Sequence, residues 1–342
     1  MVNKSLLSTL GETRPVLIAG ATASGKSALA LQIAEQLGGV IVNADALQVY
    51  SGWRILTARP SAKEESRAPH ALYGHVANHE SYSVGDWLRD IGPILRPGKR
   101  PIIVGGTGLY FRALTEGLAD IPPIPANIRA QSAGLLSQGG LQPMLEDLDD
   151  ETRAQIDVQN PMRVARAWEV LQATGQSIRS WQARTPPPLL PLEACHALHL
   201  TSPVDWLNDR LKRRFDIMIA EGALEEARRN FELWDSKWQS SQAIGAPELI
   251  AHLQGQFTLD EAKSRAVTAS SQFAKRKRTW FRKRKVAWQT VAAEQLSRAM
   301  SQIDHCDESD TPQSQNFPIL SAIKTGNLPG KNTSPLASHS PF

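Results

Sequence analysis

The chain has 342 residues, of which 41% are hydrophobic and 21% charged, and this ordinary usage excludes wholesale disorder. No run reaches about 18 apolar residues, so no membrane span is expected. Cys195 and Cys306 show neither disulfide-framework nor zinc spacing and fit a reducing cytoplasm. The net charge is +4, but eight of the 38 basic residues lie within positions 275–285, and the other 30 are outnumbered by 34 acidic residues. This concentration of cations is typical of a surface that binds a polyanion.

The first part of the chain alternates short apolar runs with helical patterns. Residues 15–19, 40–45 and 101–106 have the composition of buried strands, whereas residues 28–37 and 86–96 have helical spacing. Residues 50–85 are rich in loop-forming residues. Strands that alternate with helices predict a parallel sheet covered on both faces.

The pattern changes at residue 120. Proline-rich breaks at 120–125 and 185–191 enclose a segment with helical patterns only, and residues 195–201 give one more strand. Amphipathic helices are predicted over 203–235 and 258–285. We therefore predict an α/β core in two parts, 14–119 and 195–295, with an all-helical insertion at 120–194. Low-complexity composition predicts a disordered tail over 301–342.

An octapeptide separates the first predicted strand from the first predicted helix. It consists of Gly20, Ala21, Thr22, Ala23, Ser24, Gly25, Lys26 and Ser27. This sequence fits the P-loop pattern G-x-x-x-x-G-K-[ST], whose backbone N–H groups cradle phosphate oxygens. The lysine adds a positive charge, and the final serine hydroxyl can ligate Mg²⁺. The octapeptide predicts a site for a diphosphate or a triphosphate; the alternative is a glycine turn without a ligand.

The cationic segment 275–285 reads KRKRTWFRKRK and has two alternative interpretations. It is either a nucleic-acid surface or a solvated helix face. Trp280 and Phe281 lie inside it. Aromatic residues among cations either stack on bases or anchor the helix on the core, and the sequence leaves both open.

Nine further segments occur along the chain in a characteristic order. They are NADALQVY (43–50), RPSAKEE (59–65), APH (68–70), SYSVGDW (81–87), PIIVGGTGLYFRAL (101–114), NPMRVARAWEVLQATG (160–175), RLKRRFDIMIAEGALEEA (210–227), QAIGAPEL (242–249) and FAKRKRTWFRK (273–283). Together with the octapeptide they resemble the tRNA dimethylallyltransferases, or tRNA isopentenyltransferases, over about residues 14–288. The GGTGLY and TWFR segments carry the resemblance most specifically, because many families share the P-loop.

The resemblance implies a P-loop NTPase-like α/β core with a helical insertion. It also implies transfer of a dimethylallyl group from dimethylallyl diphosphate to N6 of the adenosine 3′-adjacent to the anticodon. The tRNAs concerned read codons that begin with U, and diphosphate is released. We accordingly expect Mg²⁺ as cofactor, the tRNA anticodon stem-loop as partner and a monomeric, cytoplasmic enzyme without membrane association.

The chemistry of this transfer suggests roles for a few side chains. The exocyclic amine is a poor nucleophile, so a carboxylate should accept its proton. Asp45 ends a predicted strand, where open α/β sheets bind ligands, and is predicted as this base; the alternative is a carboxylate associated with Mg²⁺. Lys26, Ser27 and the loop backbone would stabilise the leaving diphosphate. The resemblance assigns Arg214 to the diphosphate and Thr107 to positioning the amine or a diphosphate oxygen. Arg210 is expected to hold its helix to the core.

The same resemblance implies a set of tRNA contacts. They are Asp45, Ala46, Leu47, Gln48, Gly108, Met162, Arg163, Val164, Ala165, Arg166, Gln242, Ala243, Ile244, Gly245, Lys275 and Arg276. An enzyme that acts on N6 must extrude the adenine from the loop, and Gln48 is a candidate reader of the extruded base. Arg163 and Arg166 have i, i+3 spacing, so both can address one phosphate track; solvated arginines are the alternative.

Two other functions are compatible with parts of this pattern. A P-loop kinase of a small metabolite would use the same octapeptide to hold ATP and Mg²⁺. An RNA-binding P-loop protein without catalysis would retain the cationic segment. The extent of the resemblance favours the transferase over both.

Overall fold

The structure is a computed structural model that describes residues 6–7, 9–11, 13–96, 98–138, 140–284 and 287–296. The predicted tail over 301–342, like Lys285 of the cationic segment, lies outside these residues.

Six parallel strands form one sheet in the order β3-β2-β4-β1-β5-β6. The strands β1 and β4 at its centre are buried along their whole length, because helices cover both faces. Val16 and Ile18 of β1 pack on one side with the first helix, whereas Leu17 and Ala19 pack on the other with Phe111. The strands are β1 (Val16–Gly20), β2 (Val40–Asn43), β3 (His70–Ala71), β4 (Pro101–Gly105), β5 (His196–Thr201) and β6 (Gln289–Ala292).

Helices connect successive strands of the sheet. Those between β1 and the insertion are α1 (Lys26–Leu37), α2 (Ala62–Arg67), α3 (Val84–Ile91) and α4 (Gly108–Glu116). Those after β5 are α10 (Val204–Ala220), α11 (Ala223–Phe231), α12 (Ala246–Leu253) and α13 (Leu259–Arg284).

Within 126–182, the described residues form helices and their connections, without a strand. These are α5 (Ala126–Gln138), α6 (Gln142–Asp147), α7 (Asp150–Gln155), α8 (Pro161–Thr174) and α9 (Ile178–Gln182). They enclose a hydrophobic cluster of their own around Met144, Val164 and Trp168. The Trp168 indole N–H donates to the Asp147 carboxylate over 2.7 Å, which satisfies the buried ring.

The predicted α/β class, a parallel sheet with helices on both faces and an all-helical insertion, is confirmed. Some details of the prediction were wrong. The helix expected over 203–235 is two helices, because Gly222 adopts a left-handed conformation with φ of 102° between them. The segment 50–85 contains α2 and the short strand β3, and β6 was not predicted.

Candidate active site

The P-loop octapeptide connects β1 to α1 in the predicted order. Gly25 caps α1 with φ of 86°, a conformation that favours glycine. The Lys26 ammonium donates to the Ala21 carbonyl over 2.7 Å and thereby closes the loop. The Ser24 hydroxyl is buried without a hydrogen-bond partner among the described residues. A helix N-terminus, a lysine and an unused buried hydroxyl together form a site that an anion would satisfy.

A cavity of about 550 Å³ opens beside this loop. The ends of β2 and β4 border it on one side, and α10 and α13 on the other. Its lining includes Lys26, Ser27, Asp45, Gln48, Arg214 and Lys277. The structure therefore brings most of the predicted catalytic residues to one cavity at the carboxyl end of the sheet, where ligands bind in α/β folds.

Asp45 follows β2 and is held from both sides. Its backbone N–H donates to the Asn43 side chain over 2.8 Å, and its Oδ1 accepts from the Leu47 N–H over 3.2 Å. Its Oδ2 accepts from the Lys277 ammonium over 2.9 Å. Burial alone would raise the pKa of Asp45, but Lys277, the Leu47 hydrogen bond and Lys26 outweigh it and hold the pKa below its usual value. The carboxylate is an ionised hydrogen-bond acceptor.

Cations outnumber carboxylates in the lining of this cavity. Burial, then the charge of Lys277 and that of Arg214, lower the pKa of Lys26 to about 7, although Asp45 opposes the shift. Burial and the nearby Arg210 also lower the pKa of Arg214. Positive groups are crowded at a cost in free energy, which a bound polyanion would relieve.

Arg210 has the structural role that was expected, because it holds its helix to the P-loop octapeptide. Its Nε donates to the Ala23 carbonyl of the P-loop octapeptide over 3.0 Å, and its guanidinium lies 4.7 Å from the centre of the Trp206 ring. Arg210 therefore fixes the octapeptide against α10.

Thr107 lies at the N-terminus of α4 and contacts the backbone that leads to Asp45. Its N–H donates to the Ala44 carbonyl over 3.1 Å, and its hydroxyl accepts from the Ala46 N–H over 2.9 Å. A Cβ on the neighbouring Gly105 would lie 2.0 Å from the Ala44 carbonyl oxygen. The GGTG segment is thus shaped to hold the residues around Asp45.

Gln48 lines the cavity, but its amide nitrogen is engaged within the protein. It donates to the carbonyl oxygens of Thr57 and Ala58 over 2.8 and 3.0 Å. Only the amide oxygen remains for a ligand, and a carbonyl oxygen can accept but not donate. Any reading of a base by Gln48 is therefore restricted to recognition of an N–H group.

The cationic segment is divided between two faces of α13. Lys277 points inward to Asp45, Phe281 is buried in the core, and Trp280 packs on Gly108. Among the residues of this segment whose exposure the structure describes, the exposed cations are Lys275, Arg276, Arg282 and Lys283. Of the two alternatives for the aromatic residues, the structure favours the second, because both rings anchor the helix on the core. Lys277 was missed as a site residue, although its helical spacing with Phe273, Ala274 and Phe281 could have indicated an inward position.

The other predicted tRNA contacts lie in different environments. Ala46, Leu47 and Ile244 are half-buried beside or in the cavity, and Gln242 is exposed, whereas Ala243 and Gly245 are buried. The insertion residues 162–166 do not belong to the cavity lining.

The predicted contacts of the insertion all lie on α8. Met162 and Arg163 are exposed, and Arg166 is half-buried. Val164 and Ala165 are buried in the hydrophobic cluster of the insertion, so their side chains are not available to RNA in this structure; that part of the expectation needs correction. The arginines therefore remain the groups of this segment that can meet a phosphate.

Models of known protein families match most of this chain. The IPP transferase model matches residues 48–284, and the isopentenyl transferase model matches residues 14–69. This chain belongs to the IPP transferase family. The tRNA dimethylallyltransferase of Ruegeria sp. (strain TM1040) is 59% identical over 279 residues, which cover 82% of this chain and 96% of that relative. The one of Dinoroseobacter shibae is 58% identical over 288 residues, with coverage of 83% and 97%.

Solved structures of this family have the same fold. The full-length tRNA isopentenylpyrophosphate transferase of Bacillus halodurans is 30% identical with a TM-score of 0.59, covering 86% of this chain and 97% of that one. A eukaryotic dimethylallyltransferase acting on tRNA is 26% identical with a TM-score of 0.71, covering 89% and 81%.

The described residues meet neither the requirements of a membrane-spanning helix nor those of a metal-ligand cluster. None of their helices combines the length and the apolar character needed to cross a bilayer. No three of their His, Cys, Asp or Glu side chains are grouped as ligands for a metal ion.

Proposed function

We propose that this IPP transferase family member transfers a dimethylallyl group from dimethylallyl diphosphate to N6 of an adenosine in tRNA and releases diphosphate. The adenosine is the one 3′-adjacent to the anticodon in tRNAs that read codons beginning with U. One observation carries the proposal: an ionised carboxylate, Asp45, shares a cavity with the P-loop octapeptide and a cluster of buried cations. This arrangement provides an acceptor for the amine and a counter-charge for the leaving group.

The leaving group is stabilised by the cationic side of the cavity. The N–H groups at the start of α1, the Lys26 ammonium and the Arg214 guanidinium would surround the diphosphate, and the unused Ser24 hydroxyl can donate to it. As the allylic C–O bond breaks, negative charge grows on the diphosphate. Donors and cations that are already in place stabilise that charge without reorganisation.

The nucleophile, the N6 amine, meets the Asp45 carboxylate in the same cavity. The N6 lone pair forms a bond to the allylic carbon while the diphosphate leaves with the electron pair of the C–O bond. Nitrogen becomes positively charged, and one N6 proton passes to Asp45. Thr107 keeps the backbone of residues 44–46 in place and so fixes the direction from which Asp45 meets the amine.

Mg²⁺ fits this cavity as a partner of the diphosphate. The Ser27 hydroxyl, exposed at the start of α1, would hold it together with diphosphate oxygens. When bound, the cation would neutralise part of the negative charge that develops on the leaving group.

We propose that the anticodon stem-loop approaches along the exposed cations of α13 and the arginines of α8. Lys275, Arg276, Arg282 and Lys283 are free of the core and can face phosphates, and Arg163 is exposed on the insertion. An adenine extruded from the loop would then enter the cavity beside Gln48. The chain would act as a monomer in the cytoplasm.

The proposal is tested by incubating the pure protein with dimethylallyl diphosphate, Mg²⁺ and tRNA that lacks the modification. Digestion and mass spectrometry should then detect an N6-prenylated adenosine. Mapping of the product should place it next to the anticodon. Ordinary adenosine after a full reaction, or phosphoryl transfer from ATP to a small metabolite, would overturn the proposal.

A further inference from the structure

Lys277 is the cation that contacts the Asp45 carboxylate directly. The two side chains meet over 2.9 Å, with 8% of the Lys277 side chain and 18% of the Asp45 side chain exposed. The ammonium also lies 4.3 Å from the centre of the Phe273 ring. Partial burial makes this pair stronger than a surface ion pair, because water screens it less.

The backbone opposite the pair leaves room for it. A Cβ on Gly106 would lie 2.2 Å from the Lys277 nitrogen and 3.1 Å from Asp45 Oδ2. Gly106 is the second glycine of the GGTG segment, and its φ does not lie in the left-handed region. The absence of a side chain at Gly106 therefore leaves the space that the ion pair occupies.

The other charged and titratable groups near Asp45 act from further away. Lys26 and Arg214 face it across the cavity, and the Lys26 ammonium already donates a hydrogen bond to the Ala21 carbonyl. Burial raises the pKa values of Tyr73 and Tyr110, so both phenols are neutral at physiological pH. Within the described part of the chain, Lys277 is the cation that is hydrogen-bonded to Asp45.

We propose that Lys277 is a positioning residue for the transfer step, which fixes Asp45 Oδ2 and keeps the carboxylate ionised while the adenine amine approaches. This inference rests on the proposed function. In the reaction, the N6 proton passes to Asp45 as the N–C bond forms and the C–O bond breaks. Lys277 keeps its own proton throughout and does not touch the substrate.

The test compares Lys277→Met and Lys277→Arg in single-turnover prenylation, with both substrates saturating and the pH varied. Loss of the cation should lower the rate at neutral pH by about 10-fold to 100-fold. It should also move the acid limb of the pH profile upward by about one unit or more, because Asp45 loses its counter-charge. Lys277→Arg should restore most of the rate. Lys263→Met removes a lysine from the same helix that pairs with Asp216 over 2.8 Å, and its profile should match that of the wild type.

Two further variants protect the test against a folding defect. Lys277→Gln keeps the size and a hydrogen-bond donor without the charge, and Gly106→Ala displaces the ammonium without changing any charge. Both should move the acid limb in the same direction as Lys277→Met. An unchanged acid limb, together with a raised KM for dimethylallyl diphosphate in a separate steady-state assay, would make Lys277 a diphosphate ligand and overturn the inference. A wild-type protein that makes no prenylated adenosine would instead refute the proposed function.

Discussion

The carboxylate of Glu226 accepts a hydrogen bond from the backbone N–H of Leu56 over 3.0 Å, although 170 residues separate them along the chain. The same carboxylate accepts from the N–H groups of Arg54 and Ile55 over 2.7 and 2.9 Å. Glu226 is 3% exposed. Leu56 and the adjacent Thr57 line the cavity, so one buried carboxylate of α11 holds a wall of the candidate active site.

Glu226→Gln should therefore destabilise the protein and loosen that wall. An amide nitrogen cannot accept a hydrogen bond, so at least one buried N–H would lose its partner, at a cost of about 1–3 kcal/mol. Urea denaturation measures the free energy of unfolding. Glu225→Gln is the matched control, because Glu225 is exposed and its 3.6 Å pair with Arg228 lies at the surface; its effect should stay below about 0.5 kcal/mol. Equal effects of the two variants would contradict the assigned role.

Gly108→Ala should lower stability because a Cβ there would lie 2.3 Å from the Trp280 ring. The indole would have to shift, and overpacking of this kind costs about 1–3 kcal/mol. Gly134→Ala on α5 meets no atom within 4 Å and should instead stabilise the protein by about 0.5–1 kcal/mol, since alanine favours a helix. Thermal unfolding compares the two variants. A stabilised Gly108→Ala protein would show that Trp280 does not pack on α4 in this way.

When inorganic diphosphate binds without Mg²⁺, the protein should take up protons from the buffer. The pKa of Lys26 in the free protein is about 7, so above that value the amine is largely neutral. A bound diphosphate raises the pKa again, and binding then draws a proton from the buffer. Calorimetry in buffers of different ionisation enthalpy should detect this uptake in mildly alkaline solution and little of it in mildly acidic solution. If the uptake is the same at both pH values, Lys26 is not the titrating group.

Asp45→Ala should abolish most turnover and leave tRNA affinity nearly intact. Loss of a general base lowers kcat by about 10²-fold to 10⁴-fold, whereas tRNA binding rests mainly on exposed cations. Single-turnover prenylation and filter binding measure the two quantities. Asp209→Ala, an exposed aspartate of α10, controls for a simple change of charge. Turnover that survives the loss of Asp45 would remove this residue as the base.

Replacement of the exposed α13 cations Lys275, Arg276, Arg282 and Lys283 by glutamine should weaken tRNA binding and reduce its dependence on salt. Each lost phosphate contact should lower the slope of log K against log salt by about 0.7–0.9. The control replaces Arg228 and Arg229, two exposed cations of α11. If both sets of substitutions change the slope equally, the effect reflects net charge rather than a defined interface.

The parts of the fold that repeat a strong pattern could be predicted from the sequence. Fully buried strands such as β1 and β4 consist of continuous apolar residues, and the octapeptide marks the junction with α1. Asp45 could be placed because it directly follows such a strand. By contrast, β3 has two residues and β6 has four, with only Val291 buried. Strands this short carry no period that a sequence reveals.

The missing parts of the candidate site are contacts over long sequence distances. Lys277 lies in a segment whose overall charge suggests solvent. Its helical spacing can indicate that it faces inward, but not that it pairs with Asp45, 232 residues earlier. Glu226 follows another glutamate in a polar helix, and no local pattern separates the buried acid from the exposed one. Charge composition describes a segment as a whole, whereas the inner and outer faces of a helix are determined by what packs against it.

The inward Lys277 and the outward cations lie on the same continuous helix, α13. The number of residues in this helix can therefore vary little. Each residue advances an α-helix by about 100°, so a single insertion between Phe273 and Phe281 would turn every later side chain by more than a quarter of a circle. Lys277, or the Trp280 and Phe281 rings that pack on the core, would then leave their positions, and cations that now face outward would turn toward the core. Insertions and deletions should therefore be tolerated in the loop that precedes α13 and excluded from this stretch of the helix itself.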